Sequence, residues 1–153
     1  METDSDLDQV RALFRDYAGS LEVDLALQGF DAELATLPGK YAPPRGTILL
    51  ARDEKGTVLG CIGLRPLDRP GACEIKRLYV RLEGRGTGAG RSLARAVIGF
   101  AATAGYREIL LDTLPQMDAA IRLYRALGFA EIPPYWNSPL PGTLYFGKAL
   151  PTR

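Results

Sequence analysis

Three observations place this chain among mixed α/β folds. Two amphipathic helical stretches come first. Three strand-like stretches follow, two of them joined by a hairpin signal, and helix and strand then alternate. The resulting order, ααβββαβαββ, combines an antiparallel start with a later crossover. A length of 153 residues suits one domain, residues 1–153, with a single core. No internal repeat, linker or low-complexity tract divides it.

Each element rests on a local signal. Leu7, Val10, Leu13, Phe14 and Tyr17 keep the three-and-four spacing of one helix face, with Ser5 as the expected N-cap and Asp8 in the first turn. A second helix is expected from about Leu25 to Leu37, ended by the proline-rich "LPGKYAPPRG". Thr47–Arg52 and Thr57–Leu64 flank "DEKG" as a hairpin, and Ala72–Val80 forms a third strand. Alternation along it puts Glu74, Lys76, Leu78 and Val80 on one face, with Cys73, Ile75, Arg77 and Tyr79 on the other. The next helix is expected to bury Leu93, Val97, Phe100 and Ala104, with Gly105 at its C-terminus. "REILLDT" reads as a strand, and Gln116–Leu127 as a helix with Ile121, Tyr124 and Leu127 on one face, stopped at Gly128. "FAEI" and "GTLYFGKAL" read as two closing strands, joined by a loop rich in proline and aromatic residues.

Composition excludes several chemistries. The apolar fraction is 46% and the charged fraction 24%, as in ordinary soluble proteins, and a net charge of +1 favours neither a nucleic-acid nor a membrane partner. The acidic start "METDSDLDQ" has no apolar core, and no apolar run approaches the ~20 residues of a membrane span. A cytoplasmic protein is expected. The absence of histidine removes Ser-His-Asp, Cys-His and His-ligated metal sites together. Cys61 and Cys73 lie in strand-like apolar segments and read as core thiols. Acid–base work therefore falls to carboxylates, tyrosine, lysine or water.

The segment "LYVRLEGRGTGAGRSL" concentrates Gly84, Gly86, Gly88 and Gly90 at a strand-to-helix junction. Each glycine in a regular element costs up to about 1 kcal/mol against alanine, so the backbone itself is expected to meet a ligand. A helix N-terminus carries unpaired N–H groups and partial positive charge, which suits a phosphate or pyrophosphate. A tight turn is the alternative. A Walker loop fails, because Arg91 stands where lysine followed by Ser or Thr is needed. Gly84, Gly86 and Ala89 fit a dinucleotide fingerprint, with Asp112 ending the next strand, but three strands precede the motif and no substrate domain follows.

Val80, Arg85, Gly86, Gly88 and Gly90 resemble the acyl-CoA signature of the GNAT superfamily of N-acetyltransferases, a strand ending in valine followed by R-G-x-G-x-G opening a helix. "AAIRLYRALGF" resembles the family's second signature, a helix ending L-Y-x-x-x-G-F. The resemblance covers nearly the whole chain. It implies a mixed, largely antiparallel central sheet flanked by helices, and an enzyme that moves the acetyl group of acetyl-CoA to a primary amine in a ternary complex, without an acyl-enzyme or a metal. It further implies a small-molecule or peptide amine as acceptor, and is compatible with a homodimer. A non-catalytic acyl-CoA-binding or sensing module is the alternative from another class.

By the same resemblance, the pyrophosphate lies on Arg85, Gly86, Thr87, Gly88, Ala89, Gly90 and Arg91, while the pantetheine arm follows Leu78, Tyr79 and Val80 where their strand splays from its neighbour. The N–H of Leu78 is expected to stabilise charge on the acetyl oxygen. Glu74 takes the position of a general base and Tyr124 that of a general acid for the thiolate. The other readings are a Glu74 paired with Lys76 or Arg77, and a Tyr124 packed in the core. Met117 stands where many members have asparagine, and the cofactor contact there is expected to differ. The family usually opens with a strand before its first helix, yet helix periodicity begins by Leu7. That strand is expected to be vestigial or cut by the chain start. Tyr135 and Trp136 line an acceptor pocket or cover the core edge, and Arg65 and Arg77 are candidates to meet an acceptor carboxylate, with solvated or ion-paired arginines as the commoner alternative.

Overall fold

The computed structural model describes residues 4–20, 30–138, 140 and 142–151. Helix α1 covers Asp4–Ser20, so it begins ahead of the expected cap at Ser5. Helix α2, Phe30–Ala35, is the described part of the expected second helix, whose start at Leu25 lies outside the described residues. Strands β1 (Thr47–Arg52), β2 (Val58–Pro66) and β3 (Ala72–Val80) follow, then α3 (Ala89–Thr103), β4 (Glu108–Thr113), α4 (Asp118–Ala126), β5 (Ala130–Glu131) and β6 (Leu144–Ala149). The six strands form one sheet in the order β1-β2-β3-β4-β6-β5. Only β3 and β4 run parallel, linked by the α3 crossover, and the other neighbours are antiparallel. Among the described residues no strand precedes α1.

The hairpin and helix ends follow their sequence chemistry. Asp53 Oδ1 accepts from the N–H groups of Lys55 and Thr57, and Gly56 takes φ +83° to close the β1–β2 turn. Gly105 (φ +92°) and Gly128 (φ +96°) adopt the left-handed conformation just beyond α3 and α4.

Helices cover both faces of the sheet, and each face has its own apolar cluster. On one side Leu93, Ala94, Val97 and Ala101 of α3 and Tyr124 of α4 pack on Ile62, Leu64, Cys73, Ile75, Ile109, Leu111 and Phe146. Ala101 takes the place expected for Ala104, which caps the helix in an exposed position, while Phe100 is half-buried. On the other side Val10, Leu13 and Phe14 of α1 pack with Phe30, Leu34, Tyr41, Ile48 and Cys61. Both cysteines are buried free thiols, as expected.

Strand β3 departs from simple alternation. Cys61 pairs with Tyr79 and Gly63 with Lys76, so one β2 residue faces two β3 residues, Arg77 and Leu78. Arg77 takes φ +60°, the mark of a bulge. The extra residue shifts every later side chain to the opposite face. Leu78 and Val80 consequently join Cys73 and Ile75 against α3 and α4, whereas Tyr79 packs toward α1. The expectation that Glu74 and Leu78 share a face is corrected by this bulge.

Candidate active site

The parallel register of β3 with β4 runs from Ala72–Glu108 to Ile75–Leu111 and stops there, although β3 continues to Val80 and β4 to Thr113. The two strands thus separate toward their C-terminal ends, and a narrow cleft opens between them. Its walls include Leu78 from β3, Asp112 and Thr113 from β4, and Met117, Ala120 and Tyr124 from the start and body of α4.

The glycine segment lies beyond the end of β3, and its four glycines divide into separate roles. Gly84 is a packing position, because a Cβ there would sit 2.9 Å from Leu59 Cβ and 3.0 Å from Val80 Cγ1. Gly90, in the first turn of α3, would meet only ordinary contacts with Val80 and Leu123. Gly86 (φ +79°) and Gly88 (φ +85°) require the left-handed region and face open space. The four-glycine signal therefore reduces to two positions where backbone freedom itself is needed.

Gly88 caps α3 without a side-chain partner, and the first helical hydrogen bond runs from Ser92 N–H to Gly88 O. Among the described residues, the amides of Gly86, Gly88, Ala89, Gly90 and Arg91 find no backbone acceptor. The Arg85 N–H is used by Leu82 O, the Thr87 hydroxyl donates to Gly84 O, and Arg85 Nε donates to Val80 O. Exposed Arg85 and Arg91 flank the free amides. Free N–H groups at a helix N-terminus, bare of side chains and next to two guanidinium groups, fit the diphosphate of a CoA thioester. Among the described residues, no group of side chains could hold a metal ion, and no helix is long and apolar enough to cross a membrane.

Tyr124 is 4% exposed, and its ring meets Phe129 edge-to-face at 5.5 Å. Its hydroxyl makes no hydrogen bond among the described residues, while the residue lines the cleft. Burial pushes the phenol far above its ordinary pKa, and the charges of Tyr17 and Asp112 act in the same direction. The packing and cleft-lining readings thus hold together. Met117 occupies the N-cap position of α4 without a capping bond, and its Sδ accepts from Thr113 Oγ1 at 3.6 Å.

A second, larger space of about 450 Å³ adjoins the cleft and is lined by Lys40, Arg65, Arg69, Glu74, Tyr135 and Trp136, among others. Lys76 and Arg77 line both spaces. Glu74 is 2% exposed and lies across the β2–β3 ladder from Arg65. Its Oε1 accepts from Arg65 Nε at 3.0 Å, and its Oε2 accepts from the Tyr135 hydroxyl. The expected pairing of Glu74 with Lys76 or Arg77 is replaced by these two partners. Burial and the Glu74 charge both raise the Tyr135 pKa, so the proton stays on the phenol.

Arg77 instead forms a two-pronged pair with Glu33 of α2, at 2.9 and 3.1 Å, between the rings of Phe30 and Tyr17. Burial opposes its charge, but the Glu33 hydrogen bonds and charge outweigh this and its pKa is raised. Trp136 Nε1 donates to Asp112 Oδ2, so the aromatic loop is fastened to two carboxylates on neighbouring strands. Sequence reasoning passed over Lys76, Asp112 and Glu33 as site residues. A buried charge on a strand is a signal only once its burial is known.

The arrangement has relatives. The sequence profile of the Acetyltransferase (GNAT) family matches residues 8–129. An uncharacterized N-acetyltransferase of Schizosaccharomyces pombe is 44% identical over 140 residues, which cover 92% of this chain and 86% of that protein. A GNAT-family acetyltransferase from Staphylococcus aureus superposes with a TM-score of 0.80 at 21% identity, over 97% of this chain and 96% of that one. A phosphinothricin acetyltransferase from Sinorhizobium meliloti, solved in complex with AcCoA, superposes with a TM-score of 0.73 at 20% identity, over 97% and 85%. With the family profile spanning most of the chain, this protein belongs to the GNAT family of acetyltransferases and is an acyltransferase.

Proposed function

We propose that this chain transfers the acetyl group of acetyl-CoA to a primary amine, by direct attack of the amine in a ternary complex within one domain. The observation that carries the reading is the split between β3 and β4, which ends beside a loop of free amides. The amides of Gly86, Gly88, Ala89, Gly90 and Arg91 and the Arg85 and Arg91 side chains hold the diphosphate. The exposed backbone edge of Leu78, Tyr79 and Val80 guides the chain that leads from it. Acetyl-CoA supplies an activated thioester, and the Leu78 N–H is assigned to stabilise charge on its carbonyl oxygen.

An alkyl ammonium has a pKa near ~10.4 and must lose a proton before attack. Glu74 is the proposed sink. Because its oxygens are held by Arg65 and Tyr135, the proton reaches it through the Tyr135 hydroxyl, which passes its own proton to Glu74 as it receives one from the amine. Tyr124, with an unengaged hydroxyl at the cleft, is assigned as the donor to the departing thiolate, although burial makes its phenol the weaker acid of the two.

Titration of free thiol in an amine screen tests the reading, since acetyl transfer releases CoA. CoA release above the no-amine rate is the expected result, and no release with any amine would leave only a binding module. Acetyl-CoA, but not NADH, should raise the melting temperature, with ~2.7 kcal/mol of stabilisation at a hundredfold excess over Kd. Gly88→Val, which crowds the amides and strains a left-handed position, should abolish the acetyl-CoA shift.

A further inference from the structure

Lys76 occupies an unusual position for a lysine. Its side chain is 6% exposed, yet the residue lines both the cleft and the larger cavity. The nearest carboxylate oxygen, Asp112 Oδ1, stands at 3.7 Å, beyond hydrogen-bonding distance. The other oxygen of Asp112 is taken by Trp136 Nε1. The Trp136 ring lies 5.8 Å from Nζ and supplies a cation–π contact but no hydrogen-bond acceptor. Among the described residues, no acceptor lies within hydrogen-bonding distance of Nζ. Asp112 balances its charge, but three unmet N–H donors are costly for a buried ammonium, and the residue lines the space between donor and acceptor sites.

The rest of the cavity wall points the same way. Arg65 has its Nε on Glu74, but its Nη1 is 3.9 Å from the nearest Glu33 oxygen, too far for a hydrogen bond. Lys40 is exposed at the rim and makes no ion pair among the described residues. Both oxygens of Glu74 are occupied, which leaves exposed Asp68 as the other acid on the wall. Unmet donors thus outnumber unmet acceptors. A second ammonium on the acceptor would meet repulsion here, whereas a carboxylate would meet three cations.

We propose that the cavity binds the carboxylate of the acceptor, with Lys76 as its principal partner and Arg65 and Lys40 in support. The acceptor class is then a free amino acid or similar amino carboxylate, in preference to a polyamine or a peptide N-terminus, whose nearest carbonyl is an uncharged amide. This rests on the transferase reading for the amine, but the carboxylate site can be measured without turnover.

The test compares amino acids with their own carboxamides, and both with spermidine, at saturating acetyl-CoA. CoA release gives kcat and KM, and calorimetry with CoA present gives binding of the same compounds. The acid should exceed its carboxamide at least tenfold in kcat/KM. That preference would run against intrinsic reactivity, because the carboxamide has the less basic amine. Lys76→Met should raise KM for the acid and collapse the acid-to-amide ratio toward one, and Lys76→Arg should retain most of it. Lys40→Glu, an exposed change that keeps the design testable if Lys76→Met does not fold, should cut the ratio at least threefold.

Carboxamides or spermidine used as well as acids would overturn the proposal, as would ratios unchanged by both Lys76→Met and Lys40→Glu. If no amine releases CoA, the transferase reading falls and calorimetry decides the rest. Acid binding weakened by these variants would support the site, and acid binding absent or equal to that of the amide would overturn it.

Discussion

Glu74 shows how much a residue's role depends on what holds it. Its carboxylate is fixed on one side by a guanidinium and on the other by a phenol, so in the proposed mechanism it acts through a neighbour. Glu74→Gln should therefore lower kcat/KM most below the acceptor's pKa, with partial recovery at higher pH as free amine arrives already deprotonated. Tyr135→Phe should reproduce that pH profile, because it breaks the same relay. A general base contributes typically 10²–10⁴-fold, so losses below about threefold in both variants would assign the pair to positioning. Tyr124→Phe is expected to reduce kcat with little change in acetyl-CoA binding, since the methine edge keeps its packing against Phe129. Normal turnover in that variant would leave Tyr124 as a core residue alone. The sequence singles out Glu74 as a candidate, but its hydrogen-bond partner Tyr135 lies 61 residues away, and no local pattern joins them.

At the scale of an element, the decisive feature is the β3 bulge. Arginine in the left-handed region costs roughly 1–2 kcal/mol, and the pair with Glu33 and two aromatic faces hold it there. Arg77→Gly relieves the backbone but leaves Glu33, whose side chain is 11% exposed, with only the more distant Arg65 guanidinium at 3.9 Å. Breaking such a pair from one side costs about 3–5 kcal/mol, more than the strain released. Urea denaturation should show Arg77→Gly destabilised by a few kcal/mol, with a good part recovered in Arg77→Gly/Glu33→Gln. Equal stability of the two variants would show that the ion pair does not hold the bulge.

All ten helices and strands appear in the expected order, since hydrophobic period and turn residues are local properties. The bulge was not legible, because arginine advertises no left-handed preference, and the facing of Leu78 was misread with it. The division of labour among the four glycines was hidden for a related reason. Close packing at Gly84 and open space at Gly88 depend on Leu59 and Val80 in the folded chain.

For the whole molecule, buried protonated groups set a limit on alkaline stability. Burial pushes both Cys61 and Cys73 up from 9.0 to about 12, and raises Tyr17 and Tyr124 above 10.0. The folded protein keeps protons that the unfolded chain releases above about pH 9, so stability falls as pH rises from there. Each such group contributes a slope of about 1.4 kcal/mol per pH unit between its unfolded and folded pKa values. Melting temperature should hold steady from pH 7 to 8.5 and then drop, and Cys61→Ala, though less stable at pH 7, should drop less steeply. A Cys61→Ala slope equal to that of the parent would exclude the thiol as a source.

The open wedge between β3 and β4 carries a last consequence, for how such a protein can change over generations. Apart from the Arg85 and Arg91 side chains, donor binding there is assigned to main-chain amides and to the edge of a strand, groups that every residue but proline supplies. Most substitutions at Thr87 or Ala89 would leave those groups in place, and only Gly86 and Gly88 are held to one residue type by their backbone angles. The cavity beyond Lys76 is built from side chains instead, and any of them can be exchanged without disturbing the amides. Half of the chemistry is thereby insulated from mutation while the other half is exposed to it, so a lineage could acquire a new acceptor in a few steps and never pass through a form unable to hold its donor.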